Sequence, residues 1–104
     1  MGFVNQETSA AAERMKAYID AHIKEPITAK VLSDIAGYSR YHAARIFKQH
    51  TGRMPFEYIR ELRLTGAALA LRNDKIKIVD VAFDFMFDSQ EGFTRAFTNA
   101  FGIA

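Results

Sequence analysis

The 104-residue sequence contains no cysteine and no tryptophan, and only two of its residues are proline. Without cysteine, neither a disulfide nor a zinc site with cysteine ligands can hold the fold together. No apolar run approaches the roughly 20 residues that a membrane-spanning helix needs, and no secretory signal is visible. We therefore expect a soluble, cytoplasmic protein that makes no contact with a membrane.

The residue patterns typical of enzymes are also missing. No serine lies in a glycine-flanked elbow, and no glycine-rich loop suited to binding phosphate is present. His42 and His50 are eight residues apart, which places them too far along one helix for joint coordination of a metal ion. We expect these two histidines and His22 to have surface or packing roles. The sequence predicts no enzyme, no catalytic residue, no metal site and no cofactor.

The positive charge is concentrated in one stretch of the chain. The formal net charge is only +2, and the content of 49% hydrophobic and 25% charged residues is that of an ordinary globular protein. Residues 37–53 nevertheless contain four basic and no acidic residues, whereas residues 76–104 contain two basic and four acidic residues. A localised basic segment is typical of a surface that contacts phosphate.

Hydrophobic spacing predicts helices along nearly the whole chain, so the expected fold class is all-α. Residues 1–8 show no periodicity and are expected to be a mobile N-terminus. Phe56, Ile59, Leu62 and Leu69 predict the buried stripe of a long helix, in which Gly66 allows close packing or a slight bend. The predicted helices are 9–24, 28–36, a basic helix capped by Ser39, 55–72, 78–85 and 89–101.

The stretch GYSRYHAARIFKQHTG, residues 37–52, has the pattern of a tight turn followed by a basic helix. Gly37 suits a left-handed backbone at the end of the preceding helix, and Ser39 can cap the next one at once. Tyr38, Ala43, Ile46 and Phe47 fall towards one side of this second helix. The basic residues fall on other sides, where a partner can reach them.

The C-terminal part of the chain repeats this pattern. Leu32 aligns with Val81 and Gly37 with Met86 at an offset of 49, and after one inserted residue Arg45 aligns with Arg95 at an offset of 50. The sequence therefore predicts two helix-turn-helix units, and the six phenylalanines between Phe83 and Phe101 are expected to lie mostly in a core. We expect a first subdomain at 9–54, a linker helix at 55–73 and a second subdomain at 74–104.

The segments DIAGYSRYHAARIFKQHTGRMPFEYI and VAFDFMFDSQEGFTRAFTNAFG resemble the DNA-binding domain of the AraC/XylS family of bacterial transcriptional regulators. The resemblance covers about residues 12–103 and implies two homeodomain-like three-helix subdomains joined by a long helix. It also implies sequence-specific binding of double-stranded DNA, with two recognition helices in adjacent segments of the major groove.

Transferred position by position, the resemblance implies a set of DNA contacts in each unit. In the first unit, the base-contacting positions are Arg40, Tyr41, Ala44 and Arg45. In the second unit, they are Gln90, Glu91, Thr94 and Arg95. Arginine, glutamine and glutamate suit guanine, adenine and cytosine respectively. The positions expected to contact phosphate are Ser39, Lys48 and Ser89.

The sequence departs from the family at three points. Met86 stands where the family has glycine, so a left-handed backbone there would be strained unless the turn is built differently. Ala44 retains only apolar contact, for example with a thymine methyl group. The chain stops at Ala104, where the family continues through a proline into a last short helix, which predicts a second subdomain without that helix.

The third departure also suggests a fragment of a longer regulator that carries an effector or dimerisation domain, with RNA polymerase as a further partner. The alternative is a helical protein-interaction module whose basic helix meets an acidic surface. Competition between random and selected DNA in a mobility-shift assay separates the two interpretations.

Overall fold

The computed structural model describes residues 5–73 and 75–102, and in that part of the chain the regular elements are all helices, which confirms the all-α prediction. None of the helices it describes is long and apolar enough to cross a membrane. The helices are α1 (Gln6–Ala21), α2 (Ala29–Ala36), α3 (Arg40–Thr51), α4 (Pro55–Ala70), α5 (Ile78–Asp84) and α6 (Gln90–Phe101).

The chain forms two compact units. The first contains the described residues up to His22 together with Pro26–Ile59, and the second contains Ile23–Glu25 together with the described residues from Arg60 onward. The helix predicted as a linker over 55–73 is α4, and the division between the units falls inside it.

Helix α1 begins earlier than the sequence pattern predicts. Asn5 is its N-cap, and its side chain accepts a hydrogen bond from the Thr8 amide at 2.9 Å. The Thr8 hydroxyl accepts one from the Asn5 amide at 3.1 Å, which completes a reciprocal capping box. The expectation of a mobile segment over residues 1–8 is therefore wrong for residues 5–8, and residues 1–4 lie outside the described part of the chain.

Helix α1 also ends earlier than predicted, at Ala21 instead of residue 24. The ring of His22 stacks on Tyr18 with centroids 3.9 Å apart, and its backbone leaves the helix there. The following residues belong to the second unit, where the Arg63 guanidinium donates to the carbonyl oxygens of Ile23 and Glu25, each at 2.9 Å. These carbonyl groups are therefore bound by a side chain instead of by a further turn of α1.

The core of the first unit is built by α1, α2 and α3. Its largest fully buried side chains include Met15, Ile19, Ile46 and Phe47. Ile46 and Phe47 confirm the packed side predicted for the basic helix, which is α3. The guanidinium of Arg14 on α1 donates to the carbonyl oxygens of Ile35 and Ala36, at 3.1 and 2.9 Å, and so satisfies free carbonyl groups at the end of α2.

The second unit has its own hydrophobic cluster, which includes Leu64, Ala67, Phe85 and Phe93. The predicted stripe of α4 is partly wrong. Ile59 is buried, but Phe56 and Leu69 are 47% and 58% exposed, and Leu64 and Ala67 are buried instead. The reason is that α4 contributes to both units, so that one stripe does not describe its buried positions.

The aromatic residues of the C-terminal part are not all in the core. Phe85 and Phe93 are buried, and Phe87 and Phe97 are partly buried beside them. Phe83 and Phe101 are 55% and 46% exposed, so the other four phenylalanines meet the expectation of a mostly buried aromatic set and these two are its exceptions.

Gly66 on α4 provides space for the ring of Phe85. A methyl group placed at Gly66 would lie 2.5 Å from Cε1 of Phe85, inside the contact distance of any two carbon atoms. We predict that Gly66→Ala lowers the free energy of unfolding, because an overpacking cost of about 1–3 kcal/mol outweighs the gain of about 1 kcal/mol in helix propensity. Urea denaturation measures the change. Thr65→Ala, at an exposed neighbouring position, is the matched control and should be neutral or slightly stabilising; equal stabilisation by both substitutions would contradict the packing.

The Tyr58 hydroxyl donates to Oδ1 of Asp20 at 3.1 Å, and its ring packs edge-on against Phe47 with centroids 5.3 Å apart. Burial, together with the hydrogen bond to Asp20, raises the pKa of Tyr58 from 10.0 to about 12. A pKa that is raised in the folded state gives stability that is full below pH 10 and is lost as the pH rises towards 12. We predict a falling thermal midpoint over that range and a shallower fall for Tyr58→Phe. A residual slope is expected in the variant, because burial also raises the pKa of Tyr38. Identical pH profiles for the two proteins would show that Tyr58 does not contribute.

Candidate nucleic-acid interface

The turn between α2 and α3 has the geometry that the sequence predicts. Gly37 ends α2 in the left-handed region, with φ of 79° and ψ of 24°. Ser39 is the N-cap of α3, and its hydroxyl oxygen accepts from the His42 amide at 3.1 Å. Two residues therefore fix where α2 stops and where α3 starts, which leaves the first turn of α3 at the surface.

The second unit has a left-handed residue at the equivalent position without glycine, and one more residue than in the first unit precedes its serine cap. Met86 has a φ of 71°, the one positive φ among the described non-glycine residues. Ser89 caps α6 by accepting from the Gly92 amide at 3.0 Å, and Gly102 ends α6 in the left-handed region as Gly52 ends α3. The predicted strain at Met86 is thus present, and it costs about 1–2 kcal/mol for an L-residue.

The predicted base-contacting residues of the first unit lie on the exposed side of α3. Arg40 and Arg45 are exposed, Tyr41 is 66% exposed, and Ala44 is half-buried between them. The Arg45 guanidinium donates to the Tyr41 hydroxyl at 3.0 Å and lies 5.5 Å from the centre of its ring. The polar ends of Tyr41 and Arg45 are therefore held together by a hydrogen bond at the centre of the exposed side of α3.

The predicted phosphate-contacting residues differ in their surroundings. Lys48 is exposed and shares a shallow depression with Arg45, Gln49 and Met54. Sequence reasoning missed Gln49 and Met54, since neither carries a charge. The oxygen of Ser39 is already engaged in capping α3, so this residue's main structural role is to place the amides of the first turn.

All five residues predicted for the second unit line one cleft on its surface. Val79 and Phe83 of α5 complete the cleft, which is otherwise formed by Ser89, Gln90, Glu91, Thr94 and Arg95. Sequence reasoning missed Val79, which is uncharged and lies outside the basic and polar helices, and it missed Phe83 because it expected the phenylalanines mostly in the core. Alignment of the two repeats could have indicated that these two positions are exposed, because the equivalent residues of the first unit are charged.

The two candidate faces differ in charge. Helix α3 carries Arg40, Arg45 and Lys48 and has no acidic residue, whereas α6 carries Arg95 and Glu91. Helix α5 adds Asp80 and Asp84, and Asp84 lies 2.8 Å from Nζ of Lys24 within the same unit. The first face therefore attracts anions more strongly than the second.

The histidines are accounted for by packing and surface contacts. His50 Nε2 lies 3.1 Å from the Thr8 hydroxyl, His22 stacks on Tyr18, and His42 lies beside the Ser39 cap. In the part of the chain that the structure describes, no group of three or more metal-ligating side chains comes together.

The sequence is similar to a helix-turn-helix family and to regulatory and origin-binding proteins of bacteria. The profile of a helix-turn-helix domain family matches residues 32–104. The right origin-binding protein of Escherichia coli (strain K12) is 40% identical over 84 residues, which are 81% of this chain and 29% of that protein. Regulatory protein SoxS of the same organism is 38% identical over 85 residues, which are 82% of this chain and 79% of SoxS. The chain thus spans less than a third of the first relative.

Solved structures of bacterial regulators share the fold of this chain. A transcriptional regulator from Chromobacterium violaceum, described as having an AraC-type DNA-binding domain, is similar with a TM-score of 0.84 at 29% identity, covering 96% of this chain and 89% of that one. The C-terminal domain of AraT from Geobacillus stearothermophilus, at 24% identity, shares the fold with a TM-score of 0.84. Because the family profile covers most of the chain and SoxS aligns over most of its own length, the chain belongs to the AraC family of helix-turn-helix domains of bacterial transcriptional regulators.

Proposed function

We propose that this chain binds double-stranded DNA in a sequence-specific manner, as the DNA-reading part of a bacterial transcription regulator in the cytoplasm. The observation that carries the proposal is the exposed side of α3, where Arg40, Tyr41, Arg45 and Lys48 are all exposed on a helix without a single carboxylate. A helix that follows a tight turn and exposes cations suits the major groove, whose edges are lined by phosphate.

In the first unit, Arg45 is proposed to read guanine through its O6 and N7 atoms. Tyr41 holds the guanidinium in place, Arg40 contributes a second cation nearby, and Ala44 allows only apolar contact with a thymine methyl group. The small side chain of Ala44 also leaves room for a base edge beside Arg45.

In the second unit, the polar residues of the α6 cleft are proposed to read a separate segment of the major groove. Gln90 suits adenine, Glu91 suits the amino group of cytosine, and Arg95 suits guanine, while Thr94 can donate, accept or make methyl contact. Their positions around one cleft support a common role.

Phosphate contacts are proposed at Lys48 and at the first turns of α3 and α6. Ser39 and Ser89 are the N-caps of these two helices. The free amides of a helix N-terminus bind anions, and such contacts position a protein without reading sequence. We further propose that the whole regulator carries an effector or dimerisation domain. We also propose that it acts on RNA polymerase, because the members of its family are transcriptional regulators.

The difference in charge leads us to propose unequal roles for the units. The acid-free α3 anchors the protein on DNA, whereas α6, with Glu91 beside Arg95 in one cleft, supplies weaker contacts that depend more on sequence. Arg45 is the principal reader in this arrangement.

We predict that affinity for duplex DNA falls steeply with salt. Each neutralised phosphate releases about 0.9 counterion, so several contacts give at least a several-fold loss between about 50 and about 200 mM salt. Fluorescence anisotropy over that range measures the slope, and competition between selected and random duplexes measures specificity. A flat salt dependence would refute DNA binding and would favour the protein-interaction alternative.

We predict that Arg45→Ala weakens binding to a selected site more than Arg95→Ala does. Loss of a bidentate arginine costs about 1–3 kcal/mol, or about 5- to 150-fold in affinity, and relaxes specificity at one base pair. Arg72→Ala, which removes one positive charge outside both helices, is the matched control and should change only the general affinity. A larger effect of Arg95→Ala would reverse the proposed ranking of the units.

A further inference from the structure

An exposed phenylalanine lies beside the polar residues of the α6 cleft. Phe83 of α5 is 55% exposed, whereas Phe85, two residues later on the same segment, is 6% exposed and packs in the core. Val79 lies one helical turn before Phe83 and lines the same cleft. Phe83 and Val79 therefore form an apolar wall next to Gln90, Glu91, Thr94 and Arg95.

The first unit shows that the fold does not require this wall. At the repeat offset of 49, Val79 corresponds to Lys30 and Phe83 to Asp34. Those two residues form an exposed ion pair on α2, with 2.9 Å between Lys30 Nζ and Asp34 Oδ2. The helix thus accepts charged residues at both positions, and the apolar pair in the second unit is available for contact with an apolar group outside the unit.

The composition of the cleft limits what that apolar group can be. Phe83 lines the same cleft as the four side chains that are proposed to hydrogen-bond to base edges, so a base edge that they contact would pass close to its ring. In the major groove of duplex DNA, the 5-methyl group of thymine is the apolar feature that side chains such as phenylalanine contact. Water and phosphate offer no apolar surface, and the deoxyribose carbons belong to the strand backbone and not to the base edges that these four side chains are proposed to read.

We propose that Phe83, supported by Val79, is a specificity-determining residue that selects thymine through its 5-methyl group in the segment read by the second unit. The inference rests on the proposed binding of DNA and extends it to a residue of α5, outside the recognition helix. It gives the second unit a preference that does not depend on charge and is therefore compatible with the acidic residues around it.

Replacement of thymine by deoxyuridine tests the proposal, because it removes the methyl group and leaves every base-pairing and hydrogen-bonding group in place. Each thymine of a selected duplex is replaced in turn, and affinity is measured for the 104-residue chain and for Phe83→Ala. We expect one position at which deoxyuridine weakens binding of the unmodified protein about four-fold, the value of one buried methyl group. At that position, Phe83→Ala should bind the two duplexes equally.

Phe101→Ala is the matched control, since Phe101 is 46% exposed in the same unit but does not line the cleft. It should keep the full deoxyuridine effect, and thermal unfolding checks that both variants are folded. Deoxyuridine effects that are absent, or equal in the unmodified protein and in Phe83→Ala, would overturn the inference while leaving DNA binding intact. If the unmodified protein shows no salt-dependent DNA binding, the proposed function fails and the inference fails with it.

Discussion

The candidate interface depends on one constraint, the left-handed residue that lies between α2 and α3 in the first unit and between α5 and α6 in the second. With Gly37 at φ 79° and Met86 at φ 71°, the chain passes from α2 to α3 in three residues and from α5 to α6 in five, and a serine caps the next helix in each case. A looser connection would leave the first turn of α3 or α6 without a defined direction. The base contacts proposed for α3 and α6 all lie on the first two turns of these helices, so their direction is set by this backbone conformation and by the cap that follows it.

On this common frame, the two units have diverged in surface chemistry while keeping their buried positions. Leu32 and Val81 are both buried, and Ala43 and Phe93 are both buried at equivalent positions. The exposed positions differ instead, with an ion pair in α2 where α5 has an apolar pair, and cations in α3 where α6 has one cation and one carboxylate. Core residues determine that the repeat folds, and exposed residues determine what each copy can contact.

Much of the fold could be predicted because the signals are local. Gly37, Ser39 and Pro55 mark helix ends through backbone chemistry that involves only nearby residues, and α4 begins at Pro55 as expected. The cap formed by Asn5 and Thr8 is also local, and its pattern of a polar cap with a hydroxyl three residues later was readable in the sequence. The buried face of α4 was not predictable in this way, because it depends on which neighbours Leu64 and Ala67 meet in the folded chain. The exposure of Phe83 belongs to the same class, since composition and spacing alone favour a buried phenylalanine.

Met86 has a consequence for how this fold tolerates change in its sequence. The residues on either side of it are independently fixed: Phe85 is packed against Gly66, and the Phe87 amide donates to the carbonyl oxygen of Ala82 at 2.9 Å. With both neighbours held, the backbone at position 86 is imposed from outside, at a cost of about 1–2 kcal/mol that is small against the net stability of about 5–15 kcal/mol of a typical domain. Glycine is thus not required at this turn, because the contacts of the neighbouring residues can hold a non-glycine residue in the left-handed conformation.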